Sequence, residues 1–272
     1  RARSIRSGIV RDLERAGRAI AMVEHGATMM VNVRRGNREL EGQTSIKRGY
    51  LNLLHAREAI AVAAATGLFE STVPPILIGH SFGSFATRIV ARTIGAKLGG
   101  VVLVDGALAA GDTDKEYGDV PLRGHRHRVY PTLEQAIARF RFEPPQSCEN
   151  PYIMDFLART SLGLTPADRG GDGWSWRFDP DLRAKHRATA RAELLAPVSC
   201  CVAFLFGDRS KLMTSARLEL IRRHAPVDAP WIVIPDAGHH IMVDQPLALI
   251  AALRSLLEAW QPAATLEHPF TP

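Results

Sequence analysis

Apolar residues recur along the chain with two different periods, and the changes of period outline its elements. Ile5, Ile9, Leu13, Ala16 and Ile20 return at three- and four-residue steps with Arg and Glu between them, which predicts a helix over 4–25 stopped by Gly26. Residues 27–33 (ATMMVNV) form a short apolar run and predict a buried strand, and the polar, glycine-containing stretch 34–48 predicts a loop. Residues 50–66 are rich in Ala and Leu and predict a helix ended by Gly67. After the break at Pro74-Pro75, residues 76–78 predict a strand, 85–94 a helix closed by Gly95, and 101–104 another strand. No strand is expected across 106–196, where charged helical stretches are separated by the turn-forming pairs Pro144-Pro145 and Gly170-Gly171. Alternation then resumes, with strands at 201–206 and 231–234 and helices at 216–224 and 246–260. The tail from Gln261 is rich in proline and expected to be loose.

Strands alternating with helices imply an α/β fold, a mostly parallel sheet with helices on both faces. The block at 106–196 interrupts that alternation. It reads as a helical cap inserted into a core made of 1–105 and 197–272.

Composition narrows this picture without changing it. The chain has 272 residues, 46% hydrophobic and 23% charged, which suits a folded domain and excludes disordered, collagenous and coiled-coil classes. No apolar run approaches the roughly 18 residues of a membrane-spanning helix. The N-terminus lacks the apolar core of a signal peptide, so a cytoplasmic location is expected. The first residue is Arg, from which a trimmed or longer native chain is expected. Three cysteines, Cys148, Cys200 and Cys201, have neither disulfide-framework nor metal-type spacing. The net charge of +6 is local. Residues 1–48 hold 11 basic and 5 acidic side chains, and the remainder holds 23 of each. A basic segment can attract nucleic acid or an anionic surface. With no nucleic-acid motif beside it, a solvated helix face is the expected reading, so no nucleic-acid partner is assigned.

Two segments carry chemistry. The first is Gly79-His80-Ser81-Phe82-Gly83, between a buried strand and a helix, the context that gives G-x-S-x-G its meaning. A serine on so tight a turn projects from the carboxyl edge of the sheet, and side chains two positions away would collide, hence the glycines. The helix N-terminus beside it offers N–H groups and a positive dipole end to an oxyanion, with the Phe82 amide as one donor. The second is Pro235-Asp236-Ala237-Gly238-His239-His240, a loop between the last strand and the last helix. His239 is placed to take the Ser81 proton and return it to a leaving group. His240 is expected to pack or to orient its neighbour.

On these residues the chain resembles the α/β-hydrolase superfamily, in the branch with a helical cap. GHSFG is similar to its nucleophile turn and AGHHIMVDQP to its histidine loop. The resemblance implies a mostly parallel sheet, a Ser–His–acid triad and no cofactor. It also implies an acid after the strand that follows the cap, in a Gly-x-x-Asp pattern. That segment here is Gly207-Asp208-Arg209-Ser210, with serine where the aspartate is expected. Asp105, at the end of the strand after Ser81's helix, is the favoured substitute, since some members such as certain haloalkane dehalogenases look to carry their acid there. Asp208 is the alternative. Asp236 reads as a turn residue and Asp244 as a helix N-cap before Pro246.

The front of the chain departs as well. The family places a His-Gly-type loop after an earlier strand to supply a second oxyanion donor, and only His25-Gly26 fits. If 4–25 is a helix, Gly26 is its cap and a central strand is missing between the 27–33 and 76–78 strands. If 18–24 is instead a strand, His25-Gly26 is that loop. The first reading is preferred, because too few residues separate Gly26 from Val33 for the usual intervening helix.

His80, Trp174 and Trp176, with Phe140 and Phe142, are candidates for a substrate pocket, or the aromatics form a core under the cap. His125 and His127 are expected in a solvated basic loop, with no metal. The expected activity is hydrolysis of a small carboxylic ester by Ser81, His239 and Asp105 or Asp208. Thioester, amide and carbon–carbon hydrolysis and perhydrolysis remain open on the same triad, and so does a non-catalytic ligand-binding scaffold.

Overall fold

Short apolar runs become strands where a neighbour can satisfy their backbone, and helices fill the spaces between them. In the computed structural model, which describes residues 20–23, 51–106, 128–166, 171–177 and 197–260, the elements follow in this order. They are β1 (Ile20–Val23), α1 (Leu51–Ala65), β2 (Ile76–His80), α2 (Gly83–Ile94), β3 (Gly100–Val104), α3 (Leu133–Ile137), α4 (Pro151–Ser161), β4 (Leu162–Pro166), β5 (Asp172–Trp176), β6 (Cys201–Gly207), α5 (Ser215–His224), β7 (Trp231–Ile234), α6 (Ile241–Asp244) and α7 (Pro246–Ala259).

Five strands form one sheet in the order β1-β2-β3-β6-β7, and every pairing is parallel. Parallel strands buried on both faces read as continuous apolar runs, as β2 and β3 do. Their alternate side chains still separate into two cores. Leu77, Val101, Leu103, Val202, Phe204 and Phe206 pack with Ala86 and Val90 of α2 and Ile221 of α5. Ile76, Ile78, Val102, Val104, Ala203 and Leu205 pack against Leu249, Leu256 and Leu257 of α7. The α/β expectation with helices on both faces holds. Among the described residues no helix is long and apolar enough to cross a membrane.

Two expectations are corrected. Residues 20–23 are strand, not the end of a helix, and pair with β2 from Ile20↔Ile76 to Val23↔Gly79. Ile20-Ala21-Met22-Val23 is a continuous apolar run, and the backbone of β2 needs a partner on that side. The neighbour of β2 thus comes from the chain before the expected 27–33 strand. That strand and His25-Gly26 lie outside the described residues, as does the rest of the expected helix.

The second correction falls within 106–196, where β4 and β5 form an antiparallel pair in register from Leu162↔Trp176 to Pro166↔Asp172. Tyr130 extends it by two backbone hydrogen bonds with Trp174, at 2.8 and 2.7 Å. The strand was hidden because its buried positions are Gly173 and Ser175, while Trp174 and Trp176 are only half-buried. A Cβ on Gly173 would stand 2.9 Å from the Tyr130 carbonyl oxygen, so small residues face inward and the usual apolar-in pattern is inverted. The expected helical stretches are represented by α3 and α4. Asn150 caps α4, its side chain accepting from the Tyr152 and Ile153 amides, with Pro151 at the first turn.

Candidate active site

The turn between β2 and α2 puts Ser81 in the left-handed region, at φ 51°. That conformation is costly for a residue with a Cβ and persists only where surrounding bonds enforce it. Here the Ser81 amide donates to the Val104 carbonyl at 2.9 Å, and the Ser81 carbonyl accepts from Ser84 N–H at 3.0 Å. The Ser84 hydroxyl donates to the Gly79 carbonyl at 2.8 Å. A Cβ on Gly79 would lie 2.7 Å from the Gly83 carbonyl oxygen and closer still to Thr87 Oγ1, which is the collision expected two residues before the serine. Phe82 is the N-cap of α2, so its amide lies at the helix's positive end. Its ring packs edge-on against His55 and Phe85.

The loop after β7 turns at Asp236, φ 56°, and brings in His239, which is 3% exposed. His239 Nε2 is 2.7 Å from Ser81 Oγ, and Nδ1 is 2.8 Å from Asp105 Oδ1. A carboxylate only accepts, so Nδ1 carries the proton and Nε2 of the neutral ring accepts from the serine hydroxyl.

Asp105 is fully buried and sits just past β3 at φ 44°. Its amide donates to the Leu205 carbonyl at 2.7 Å, which turns the side chain toward the imidazole. Besides His239 it accepts the Ser210 hydroxyl on Oδ1 at 2.6 Å and the Gly207 amide on Oδ2 at 3.1 Å. Of the two candidate acids, this is the one in contact with the histidine. Asp208 accepts the Ala237 amide at 3.2 Å and braces the histidine loop from outside. Asp236 pairs with Arg209. Asp244 is not the cap of α7, whose N-cap is Gln245. It accepts the Gly238 amide at 2.7 Å and Gln146 Nε2 at 2.9 Å.

Other expected residues take different places. His80 is 1% exposed, and its Nε2 donates to the His239 carbonyl at 2.8 Å, so it ties the serine strand to the histidine loop. Ligand atoms of His80, His239 and His240 lie within 4.8 Å of one another. Both nitrogens of His239 already serve Ser81 and Asp105, an arrangement suited to moving a proton. Ring contacts run from Trp176 to Phe140 at 5.8 Å, to Phe142 at 5.0 Å and to His240 at 5.1 Å. Trp174 joins by its backbone to Tyr130. His125 and His127 lie outside the described residues. The Cys200 thiol is pushed up to about 11, first by burial and then by Cys201, and so stays protonated at neutral pH.

Sequence reasoning missed Gln146. Its amide accepts the His240 N–H at 2.9 Å and donates to the His240 carbonyl at 3.2 Å and to Asp244, from ninety-odd residues away. No local motif announces such a contact.

Comparison with known proteins adds to this geometry. No curated protein matches the chain in sequence. Among solved structures, a thioesterase domain from the curacin biosynthetic pathway is 23% identical, covering 77% of this chain and 72% of its own, with a TM-score of 0.57. E-2-(acetamidomethylene)succinate hydrolase is 18% identical over 89% of this chain and 92% of its own, at 0.62. An esterase of Mycobacterium tuberculosis is 19% identical over 77% and 68%, at 0.56. At these identities the likeness speaks to the fold. Residues 39–253 match the model of the α/β-hydrolase family, most of the chain, and with the parallel sheet and the serine turn this establishes that the chain belongs to that family.

Proposed function

We propose that this chain is a serine hydrolase that cleaves a small carboxylic ester through an acyl-enzyme. The observation that carries the reading is the continuous line of hydrogen bonds from Ser81 Oγ through His239 to a buried Asp105, starting from a serine held at positive φ. Ser81 Oγ attacks the carbonyl carbon as its proton passes to His239 Nε2. Asp105 holds the ring and stabilises the imidazolium. The tetrahedral oxyanion faces the Phe82 amide at the start of α2. His239 then protonates the departing alkoxide, and the ester C–O bond breaks. A water loses its proton to His239 and adds to the acyl carbon, and the bond from that carbon to Ser81 Oγ then breaks as His239 returns the proton to Oγ, which releases the acid. We further propose that 106–196 acts as a cap, with Trp176, Phe140 and Phe142 bordering the acyl group.

An ester fits this machinery, since its alkoxide leaves with one proton and His239 supplies it. Thioester and amide substrates use the same steps. Structures of this fold that carry thioesterase and hydrolase names keep both open. Labelling with a fluorophosphonate, read by intact mass, tests the mechanism. One adduct is expected, absent in Ser81→Ala and slowed by about a thousandfold or more in His239→Ala. Folded protein that takes up no adduct would sink the catalytic reading in favour of a ligand-binding scaffold.

A further inference from the structure

The site contains a hydroxyl that the proposed chemistry does not use. Ser210 is buried and stands where the family resemblance leads one to expect the acid. Its Oγ lies 2.6 Å from Asp105 Oδ1, the same oxygen that receives His239 Nδ1–H at 2.8 Å. A carboxylate has no proton to give at neutral pH, so the serine is the donor. The distance is that of a charge-assisted O–H···O⁻ bond.

The backbone around Ser210 is fixed on both sides. Its amide donates to the Gly207 carbonyl and its carbonyl accepts from the Met213 amide, both at 3.2 Å. The same turn grips two partners. Toward Asp105 it offers the Gly207 amide to Oδ2 and the Ser210 hydroxyl to Oδ1. Toward the histidine loop, the Asp208 amide donates to the Ile234 carbonyl at 3.1 Å and the Arg209 amide to the Ala237 carbonyl at 2.9 Å. A Cβ on Gly207 would meet the Ala237 backbone, so the turn and the loop are in direct contact.

Resting on the proposed triad, we infer that Ser210 is a positioning residue, whose hydroxyl fixes the plane of the Asp105 carboxylate and shares the negative charge of the oxygen that holds His239. With Oδ2 on Gly207 and Oδ1 on Ser210, the carboxylate is oriented before the imidazole takes its proton. The Ser210 hydroxyl bonds to Asp105, not to the serine or the imidazole. It acts through Asp105 alone. The residue that stands where the resemblance implies an acid after β6 is thus a donor to the carboxylate at the end of β3.

Removing the hydroxyl has two effects. The carboxylate loses one of the bonds that define its plane, so Nδ1–H is held less well. The charge on Oδ1 is also less shared, which favours the imidazolium, so His239 takes up a proton at higher pH. Among the described residues, titratable groups that face the imidazole include His80 at the end of β2 and His240 in the loop, with Asp105 itself from β3. These stay the same in every variant.

The test is the rate of fluorophosphonate labelling against pH for wild type, Ser210→Ala, Ser210→Thr and Ser210→Cys, with melting temperature to confirm folding. Ser210→Ala is expected to label about tenfold more slowly. The midpoint of its acid limb should rise by roughly half a pH unit. Ser210→Thr keeps the hydroxyl and should restore both rate and midpoint. Ser210→Cys, a weaker donor of similar size, should fall between and serves if the alanine variant does not fold. Wild-type rate and midpoint in folded Ser210→Ala and Ser210→Cys would overturn the inference. So would an equal loss in the alanine and threonine variants with no movement of the midpoint, which marks a packing role. If wild type takes no adduct at Ser81, the catalytic reading itself fails and the inference goes with it. That outcome is distinguishable because it appears before any change at position 210.

Discussion

Asp105 and Asp208 both end parallel strands, and those strands, β3 and β6, lie side by side. Their side chains meet different neighbours. Asp105 is fully buried and accepts from the imidazole, a hydroxyl and an amide, whereas Asp208 accepts the Ala237 amide. An aspartate that holds a catalytic imidazole cannot become an amide without reversing a hydrogen bond, because the amide nitrogen meets Nδ1–H donor to donor or forces the wrong tautomer. Asp105→Asn is therefore expected to slow labelling of Ser81 by about three to four orders of magnitude. Asp208→Asn still offers an oxygen to the Ala237 amide, so its rate should stay within about threefold and its stability within about 1 kcal/mol. Labelling kinetics on both folded variants decide the matter, and a larger loss at Asp208 would return the acid role to it. Ser81 and His239 were legible in the sequence because their signals are local: two glycines around a serine, and a Gly-His after a strand. The choice between the two aspartates was legible only through the family resemblance, which favoured Asp105 and left Asp208 open. Along the chain both look alike at the ends of adjacent strands, and in space the φ of 44° at Asp105 and donors from a turn about a hundred residues away separate them.

At the scale of elements, α2 is the helix most enclosed by the rest, with buried residues from Gly83 through Arg88 and again at Val90 and Ala91. The arginine is the anomaly. Its Nε donates to the Ser84 carbonyl at 3.2 Å and its guanidinium lies 4.8 Å from the Phe85 ring centroid. Nη1 and Nη2 have no hydrogen-bond partner among the described residues. Burial lowers its pKa to about 9. A base whose folded-state pKa lies below its unfolded value costs stability in full below the folded pKa, and that cost is relieved as pH rises above it. The cation–π contact returns about 1 kcal/mol, less than the desolvation of an unpaired cation. Arg88→Met, of similar length and without charge, is expected to stabilise the protein by about 1–3 kcal/mol at pH 7 in urea unfolding. The advantage should shrink above pH 9. A methionine variant less stable than wild type at pH 7 would show that the guanidinium is held by more than this. The same scale explains which elements were legible. β2, β3, β6 and β7 announced themselves as apolar runs between turn residues. β1 was masked by Ile20, which closes a helical repeat and opens a strand run, so only pairing with β2 decides it. β5 was masked because its buried side consists of glycine and serine.

Across the whole molecule, the segment between β3 and β6 bears on the site through its contacts with the histidine loop. Gln146 is one polar link, bonded to both backbone groups of His240 and to Asp244, which itself holds the Gly238 amide. The Phe142 ring, from the same segment, lies tilted against His240. A histidine loop gripped from β6 on one side and from Gln146 on the other is braced on both, and the proposed mechanism needs His239 to stay within hydrogen-bond reach of Ser81 through each of its proton transfers. Gln146→Ala removes an acceptor from the His240 amide and a donor from Asp244. The expected cost is about 1–3 kcal/mol in unfolding and a several-fold slower labelling of Ser81. Gln146→Glu sharpens the test, because it sets a second carboxylate about where Nε2 stood, 2.9 Å from Asp244 Oδ2. Two like charges so close cannot both stay ionised comfortably. The penalty should be largest at neutral and alkaline pH and should recede as the pair takes up a proton on acidification. If both variants lose stability while the labelling rate per folded molecule and its pH profile stay at wild-type values, the segment between β3 and β6 only packs against the histidine loop. If rate and stability fall together, and the glutamate variant recovers relative to wild type toward pH 5, then the geometry at His239 depends on a segment far from it in sequence.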